Sequence, residues 1–182
     1  MKKTKSLLIA LLGFIVLVAL DQITKILAIT HLKNKSPYVI WENVFELHYA
    51  ENRGAAFSIL QDQIVFFIIS TSVLICLISF FFYKLIGHKK YRPINCLLVF
   101  LLAGAMGNFI DRIRLGYVID FLYFKLIDFP IFNVADSYIT VSLVLLVILL
   151  LFVYKEDDFA IFFKQKKEEL ITENEEDEDA HL

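Results

Sequence analysis

Four apolar runs, each long enough to cross a lipid bilayer, constrain this 182-residue chain more than any other feature. A membrane-spanning helix needs about 20 mostly apolar residues, and the runs fall at about residues 6–29, 64–86, 94–112 and 133–154. At that depth no water is available to the backbone, so each run is expected to form a helix that satisfies its own N–H and C=O groups. Hydrophobic residues make up 58% of the chain, against about 45–50% in a soluble domain, and the excess sits in these runs. The first run follows a basic MKKTK start, as a secretory signal would. It lacks a small-x-small cleavage site before Asp21, and its apolar character resumes through Ile23, Ile26 and Ile29. The expected fold is an all-α membrane protein of four transmembrane helices with a small extracytoplasmic β-like outer-loop region. Residues 1–155 make up its membrane domain. Residues 156–182, acidic and without Lys or Arg after Lys167, are expected to be a disordered cytoplasmic tail.

Charge distribution orients the spans. Lys84, Lys89, Lys90 and Arg92 lie in one short loop, which marks it as cytoplasmic. Four spans then leave both termini in the cytoplasm, in agreement with the MKKTK start. Residues 30–63 and the segment before Asn133 face outside. Partial alternation (Phe45, Leu47 and Tyr49 apolar, Glu46 and His48 polar) predicts short strands at the outer surface. Trp41, Tyr38 and Tyr49 suit an interfacial aromatic belt, and Asn52-Arg53-Gly54 reads as a turn. Ala103, Gly104 and Gly107 would let helices approach closely. No basic stripe has aromatic interleaving, which argues against nucleic-acid binding. Cys76 and Cys96 are expected to be buried thiols rather than a disulfide or metal pair.

Polar residues among these runs are the chemical signal. Residues 104–137 hold two asparagines, four aspartates and two arginines between apolar stretches, and such groups near membrane depth are costly enough to mark a functional site. With the topology above, Asp21 and Lys25, Asn52, Asn108 to Arg112, Asp120, and Asn133 to Asp136 all come to one membrane face. Plain structural accounts exist for several. Asp21 and Lys25, four apart, can form an intrahelical ion pair. Asp111 can pair with Arg112 or Arg114. Asn133 can cap the fourth helix, with Asp136 in its first turn. Asp120 has no cation three or four residues away. Asp120 and Asp136 stand out as possible paired carboxylates. Two carboxylates in a poorly hydrated site cannot both ionise, so one holds a proton while the other is a base. That is aspartic-protease chemistry, and it needs no metal or cofactor. Rival signatures are missing: there is no HExxH, GxSxG or phosphate loop, and His31, His48, His88 and His181 form no ligand spacing.

Four motifs in order, DQITK at residues 21–25, NRGAAF at 52–57, GNFIDRIRLGYVIDF at 107–121 and FNVADS at 132–137, resemble those of the bacterial lipoprotein signal peptidase (signal peptidase II) family. The resemblance implies a multi-pass peptidase of the bacterial cell membrane, with its active site near the outer face. Such a peptidase removes signal peptides from diacylglyceryl-modified prolipoproteins, cutting before the lipidated cysteine. It implies Asp120 and Asp136 as the catalytic dyad. Asn108, Asp111, Arg112 and Asn133 would support the site, and Asp21, Lys25, Asn52 and Gly54 would position substrate or the outer loop. Membrane lipid and globomycin-type inhibitors are the other implied partners, and a monomer is expected. The alternative is a small proton-coupled carrier using the same acids as a relay. No internal repeat supports it, and the acids gather at one face rather than at the midplane.

Overall fold

A computed structural model of the chain describes residues 3–54, 63–155 and 158. Four helices carry it: α1 (Lys3–Leu32), α2 (Ile64–Leu85), α3 (Arg92–Leu115) and α4 (Val134–Phe152). All four are long and apolar enough to cross a membrane, and each matches an expected span to within a few residues. Packing divides the chain into residues 1–145 and 146–182. In the second unit, the helix ends with the Tyr154 N–H on the Leu149 carbonyl, and the Lys155 N–H donates to Asp158. The expected tail otherwise lies outside the described residues, as do Ala55, Ala56 and Phe57 of the NRGAAF motif.

The first unit is apolar outside and polar inside. Leu8, Leu12, Val65 and Ile69 are among many exposed aliphatic side chains, a surface suited to contact with lipid. Lys25, Val118, Asn133, Asp21 and Asp120 are the largest fully buried side chains. Cys76 and Cys96 are free but exposed. The expectation of buried thiols fails because the apolar faces of α2 and α3 that carry them point outward.

Helix α3 is central, packing against α1 and α2. Two of its glycines allow close approach, Gly104 to α4 and Gly107 to α1. A Cβ on Gly104 would lie 2.5 Å from the Ala135 carbonyl oxygen, and one on Gly107 would run into the Asp21 carboxylate. Apolar helices gain little from leaving lipid for one another, so close backbone approach and polar contacts must hold the bundle. At the opposite end, the Lys3 ammonium lies 4.1 Å from the Tyr83 ring centroid. The start of α1 and the basic loop after α2 therefore share one end.

Strands β1 (Tyr38–Trp41), β2 (Phe45–Asn52) and β3 (Val118–Phe124) form an antiparallel sheet in that order. The first two arise where alternation predicts them, and Tyr38 and Trp41 are exposed on the edge strand. β3 is a strand that the sequence pattern does not announce. Gly116 makes it possible: it ends α3 in the left-handed region (φ +78°) with its N–H on the Arg112 carbonyl, a conformation glycine adopts without the Cβ penalty. The chain reverses there and enters β3 two residues later. Ala28, Leu32, Ile119 and Phe121 form the small apolar cluster that seats the sheet on α1. Within the β2–β3 ladder, Leu47 faces Leu122 and Ala50 faces Asp120. His48 and Tyr49 thus oppose the single residue Phe121, which is a β-bulge.

The glycine environments make a paired test. Gly107→Ala must push Asp21 or split α3 from α1, and overpacking of this kind costs about 1–3 kcal/mol. A methyl group added at Gly13 would meet nothing within 4 Å. Gly13→Ala should therefore leave the melting temperature in detergent unchanged or higher, while Gly107→Ala lowers it.

Candidate active site

At the sheet end of the bundle, a buried cation organises the polar residues. Lys25 Nζ lies 3.0 Å from Asp21 Oδ2, 2.9 Å from Asp111 Oδ2 and 2.9 Å from Asn108 Oδ1. None of the three charged groups is more than 3% exposed. Each acid also accepts a backbone N–H from another element. Asp21 Oδ1 takes that of Ala135 at the start of α4, and Asp111 Oδ2 takes that of Ile119 in β3. The Gln22 amide donates to Asp21, to Asp111 and to the Gly107 carbonyl. The expected Asp21–Lys25 pair therefore exists, but as the core of an inter-helix cluster rather than an interfacial pair. Asp111 joins it instead of turning to Arg112 or Arg114, because burial of Lys25 leaves one carboxylate too few to satisfy its three donors.

Asn108 links this cluster to the second pair of acids. Its Oδ1 accepts from Lys25 and from Asn133 Nδ2, which leaves its Nδ2 to donate to Asp136 Oδ1 at 2.7 Å. Asn133 is the other link. Its backbone N–H donates to Asp136 Oδ2 at 3.1 Å, while its Oδ1 accepts the Asp136 N–H at 2.9 Å. This reciprocal pattern is a capping box at the start of α4. The Asn133 Nδ2 also donates to Asp120 Oδ1 at 2.7 Å. One residue thus touches both carboxylates. Asn133 is set there because its neighbour Phe132 is bridged to Leu122 in β3 through backbone bonds in both directions.

Asp120 completes the arrangement from β3. Its Oδ2 accepts from Asn52 Nδ2 at 2.9 Å, and Asn52 Oδ1 in turn accepts the Gly54 N–H at 3.0 Å. Burial raises the pKa of Asp120 to about 7, and the negative charge of Asp136 pushes the same way. Donation from Asn52 and Asn133 and the charge of Lys25 oppose the rise. A carboxyl with that pKa exchanges its proton near neutral pH, which suits general acid–base work.

Both acids open on a cavity of about 1160 Å³. Asn52, Gly54 and Arg112 line it, with Ala50 beside Asp120 and an aromatic wall of Phe124, Phe129 and Phe132. Phe124 and Phe132 are stacked with centroids 5.7 Å apart. The Arg112 guanidinium sits 4.8 Å from the Phe67 centroid. The residues singled out from the sequence thus form two connected groups. Asp120, Asp136, Asn52, Gly54 and Arg112 line the cavity, and Asp21, Lys25, Asn108, Asp111 and Asn133 lie behind or between them. Gln22 is a member of the cluster that the sequence pattern does not single out, although it lies inside the DQITK motif; its offset of four from Ile26 gives no sign of its inward direction. No group of His, Cys, Asp and Glu suited to a metal occurs among the described residues.

Fold and site together define a small multi-pass membrane protein with an acid-bearing cavity at one end of its helix bundle. A family model described as signal peptidase (SPase) II matches residues 13–152. A lipoprotein signal peptidase of Streptococcus pyogenes serotype M5 (strain Manfredo) is 44% identical over 138 residues, covering 74% of this chain and 88% of that protein. The protein of the same description from S. pyogenes serotype M18 (strain MGAS8232) matches equally. Among solved structures, a bacterial membrane enzyme determined by the in meso method at 2.3 Å resolution aligns with a TM-score of 0.73 and 33% identity, over 81% of this chain and 92% of that one. A second, at 1.9 Å resolution, aligns with a TM-score of 0.69 and 33% identity, over 80% and 94%. The chain belongs to the signal peptidase II family, the membrane-embedded peptidases of lipoprotein processing.

Removing the buried cation tests the cluster. Lys25→Met leaves Asp21 and Asp111 facing each other without a counter-charge, and breaking a buried pair in this way costs about 3–5 kcal/mol. The variant should melt far below the wild type in detergent. Asp21→Asn combined with Lys25→Met should recover part of the loss.

Proposed function

We propose that this protein is an aspartic endopeptidase that removes the signal peptide from diacylglyceryl-modified prolipoproteins, cutting immediately before the lipidated cysteine. The observation that carries the reading is a pair of carboxylates on one cavity wall, Asp120 buried and Asp136 half-buried, joined through Asn133. Asp120 is the member that holds the proton. Asp136 is the base: each acid accepts two N–H donors, but Asp136 alone stands in the first turn of α4, where the helix dipole favours negative charge. Water held between them gives a proton to Asp136 and attacks the scissile carbonyl carbon. Asp120 gives its proton to the carbonyl oxygen. The tetrahedral intermediate then collapses as Asp136 returns its proton to the leaving amine, and Asp120 recovers a proton from the intermediate's hydroxyl. Arg112 offers the substrate backbone a fixed donor, and the turn from Asn52 to Gly54 lies where it can hold the peptide.

Several features support a lipid-borne substrate. The cavity combines acids with a phenylalanine wall, so a polar scissile peptide and apolar chains have separate surfaces to meet. Bundle walls without a soluble shell leave lateral entry from the bilayer open. The shared end of Lys3 in α1 and the basic loop after α2 supports both termini in the cytoplasm and the acids near the outer face. A globomycin-type cyclic peptide would compete for the same cavity. We place the functional domain in residues 1–155 and take the monomer as the working unit.

Purified protein in detergent should cleave a lipidated prolipoprotein and spare its unlipidated twin. Asp120→Asn and Asp136→Asn should each lower kcat by about 10²–10⁴-fold, the usual worth of a general acid or base, with the protein still folded by melting. Near-normal turnover in either variant would sink the dyad. The pH profile offers a separate check. Asp120 must be protonated to act as the acid, and its pKa is about 7. On the alkaline side kcat/KM should therefore fall about tenfold per pH unit. A profile flat to pH 9 would reassign the proton donor.

A further inference from the structure

Resting on the peptidase reading, we propose that Ala50 gauges the size of the substrate residue immediately before the cut, and that the bulge in β2 exists to put an alanine at that place. The register makes the case. Phe45, Glu46 and Leu47 face Phe124, Tyr123 and Leu122. Continued without interruption, that pairing would set Tyr49 across from Asp120 and Ala50 across from Ile119. The one extra residue in β2 changes the partners: Ala50 faces Asp120, Glu51 faces Ile119 and Asn52 faces Val118. Side chains directly opposed in an antiparallel ladder have Cβ atoms about 4.5–5.5 Å apart. The bulge therefore replaces a phenol ring beside the carboxyl with a single methyl group.

Two further consequences of the bulge point the same way. Asn52, two residues beyond Ala50 and so on the same face, comes within hydrogen-bonding reach of Asp120 Oδ2. Tyr49 is turned aside to the α1 surface, where it packs near Ala28 and Leu32, donates to Glu51 Oε1 at 3.1 Å and lies beneath the Lys33 ammonium. Bulges commonly occur beside active sites, where they re-aim a side chain; here one ring is removed and one amide delivered by the same inserted residue. The space cleared belongs to the cavity, since Ala50 lines it with Asp120 and Asp136. In the proposed reaction the residue after the cut is always the lipid-bearing cysteine. Only the residue before it can vary in size next to the scissile bond, and that residue must pass Ala50 for the carbonyl to reach Asp120.

The test is a size exchange. Lipidated prolipoproteins with glycine, alanine or leucine immediately before the modified cysteine are offered to the wild type, Ala50→Gly and Ala50→Val. A methyl-sized change in such a pocket shifts kcat/KM by about 10-fold or more. Ala50→Val should lose that factor on the alanine and leucine substrates relative to glycine. Ala50→Gly should gain a comparable factor on leucine relative to glycine. Unchanged preference in both variants, or an equal loss on all three substrates, would overturn the gauge while wild-type cleavage keeps the peptidase reading intact. If the wild type cleaves none of the lipidated substrates, the peptidase reading falls and takes this proposal with it. Should the valine variant fail to fold, the glycine variant decides alone.

Discussion

An ammonium group held inside a bundle of lipid-facing helices is the constraint on which the site depends. Lys25 can remain charged there only because Asp21 and Asp111 sit within 3.0 Å and Asn108 completes its shell. Those ligands come from two helices, and each acid is also tied to a third element by a backbone N–H. Satisfying one charge therefore fixes α1, α3, the start of β3 and the start of α4 against one another. It also fixes an amide. An asparagine side chain has one oxygen and one nitrogen end; with Lys25 and Asn133 claiming the oxygen of Asn108, its nitrogen must face Asp136. The charge cluster and the carboxylate pair are in this sense one network, with Asn108 as the joint.

Such a network is costly in water and costlier in lipid if any member is missing. The apolar surface cannot compensate, because helices surrounded by lipid gain little apolar burial by meeting. The structure shows the usual substitutes. Gly104 brings α3 close to α4 and Gly107 brings it close to the Asp21 carboxylate of α1, and Lys25 is fully buried among three oxygen partners. The capping box shows the same economy. Asn133 and Asp136 close the first turn of α4 by a pattern found in many helices, yet the same atoms orient the acids toward the cavity. A local stabilising motif and a functional arrangement are here a single set of bonds.

How far these features can be read from sequence follows from their range. The spans are legible because lipid imposes a length and a composition on each one separately. The Asp21–Lys25 pair and the Asn133–Asp136 cap are legible because their partners lie three or four residues apart. Asp111 is not, since its partner is on another helix and two arginines nearby offer a false alternative. β3 is hidden for a different reason. Val118, Ile119, Phe121 and Leu122 are apolar on both faces of the strand; Val118, Ile119 and Phe121 are all buried, and Leu122 packs against the cluster of Ile119 and Phe121 with α1, so no alternation survives. Gln22 has a polar side chain in an apolar helix, but its three acceptors lie on residues 21, 107 and 111, two of them on a helix far along the chain. The bulge depends wholly on which residues of β3 are already paired, and no window of β2 alone encodes it.

The i, i+4 spacing of Asp21 and Lys25 matters beyond the finished molecule. Ribosomes make α1 first, and Asn108, Asp111 and the Ala135 N–H are still unmade when that helix meets the bilayer. During this interval the aspartate and the lysine have each other and the neighbouring Gln22 amide, and the intrahelical bridge lowers the cost of a charged helix in the membrane. Later segments then find a neutral pair rather than two stranded ions. They recruit it by adding contacts without having to separate charges in hydrocarbon. The order of residues along the chain thus doubles as an order of assembly.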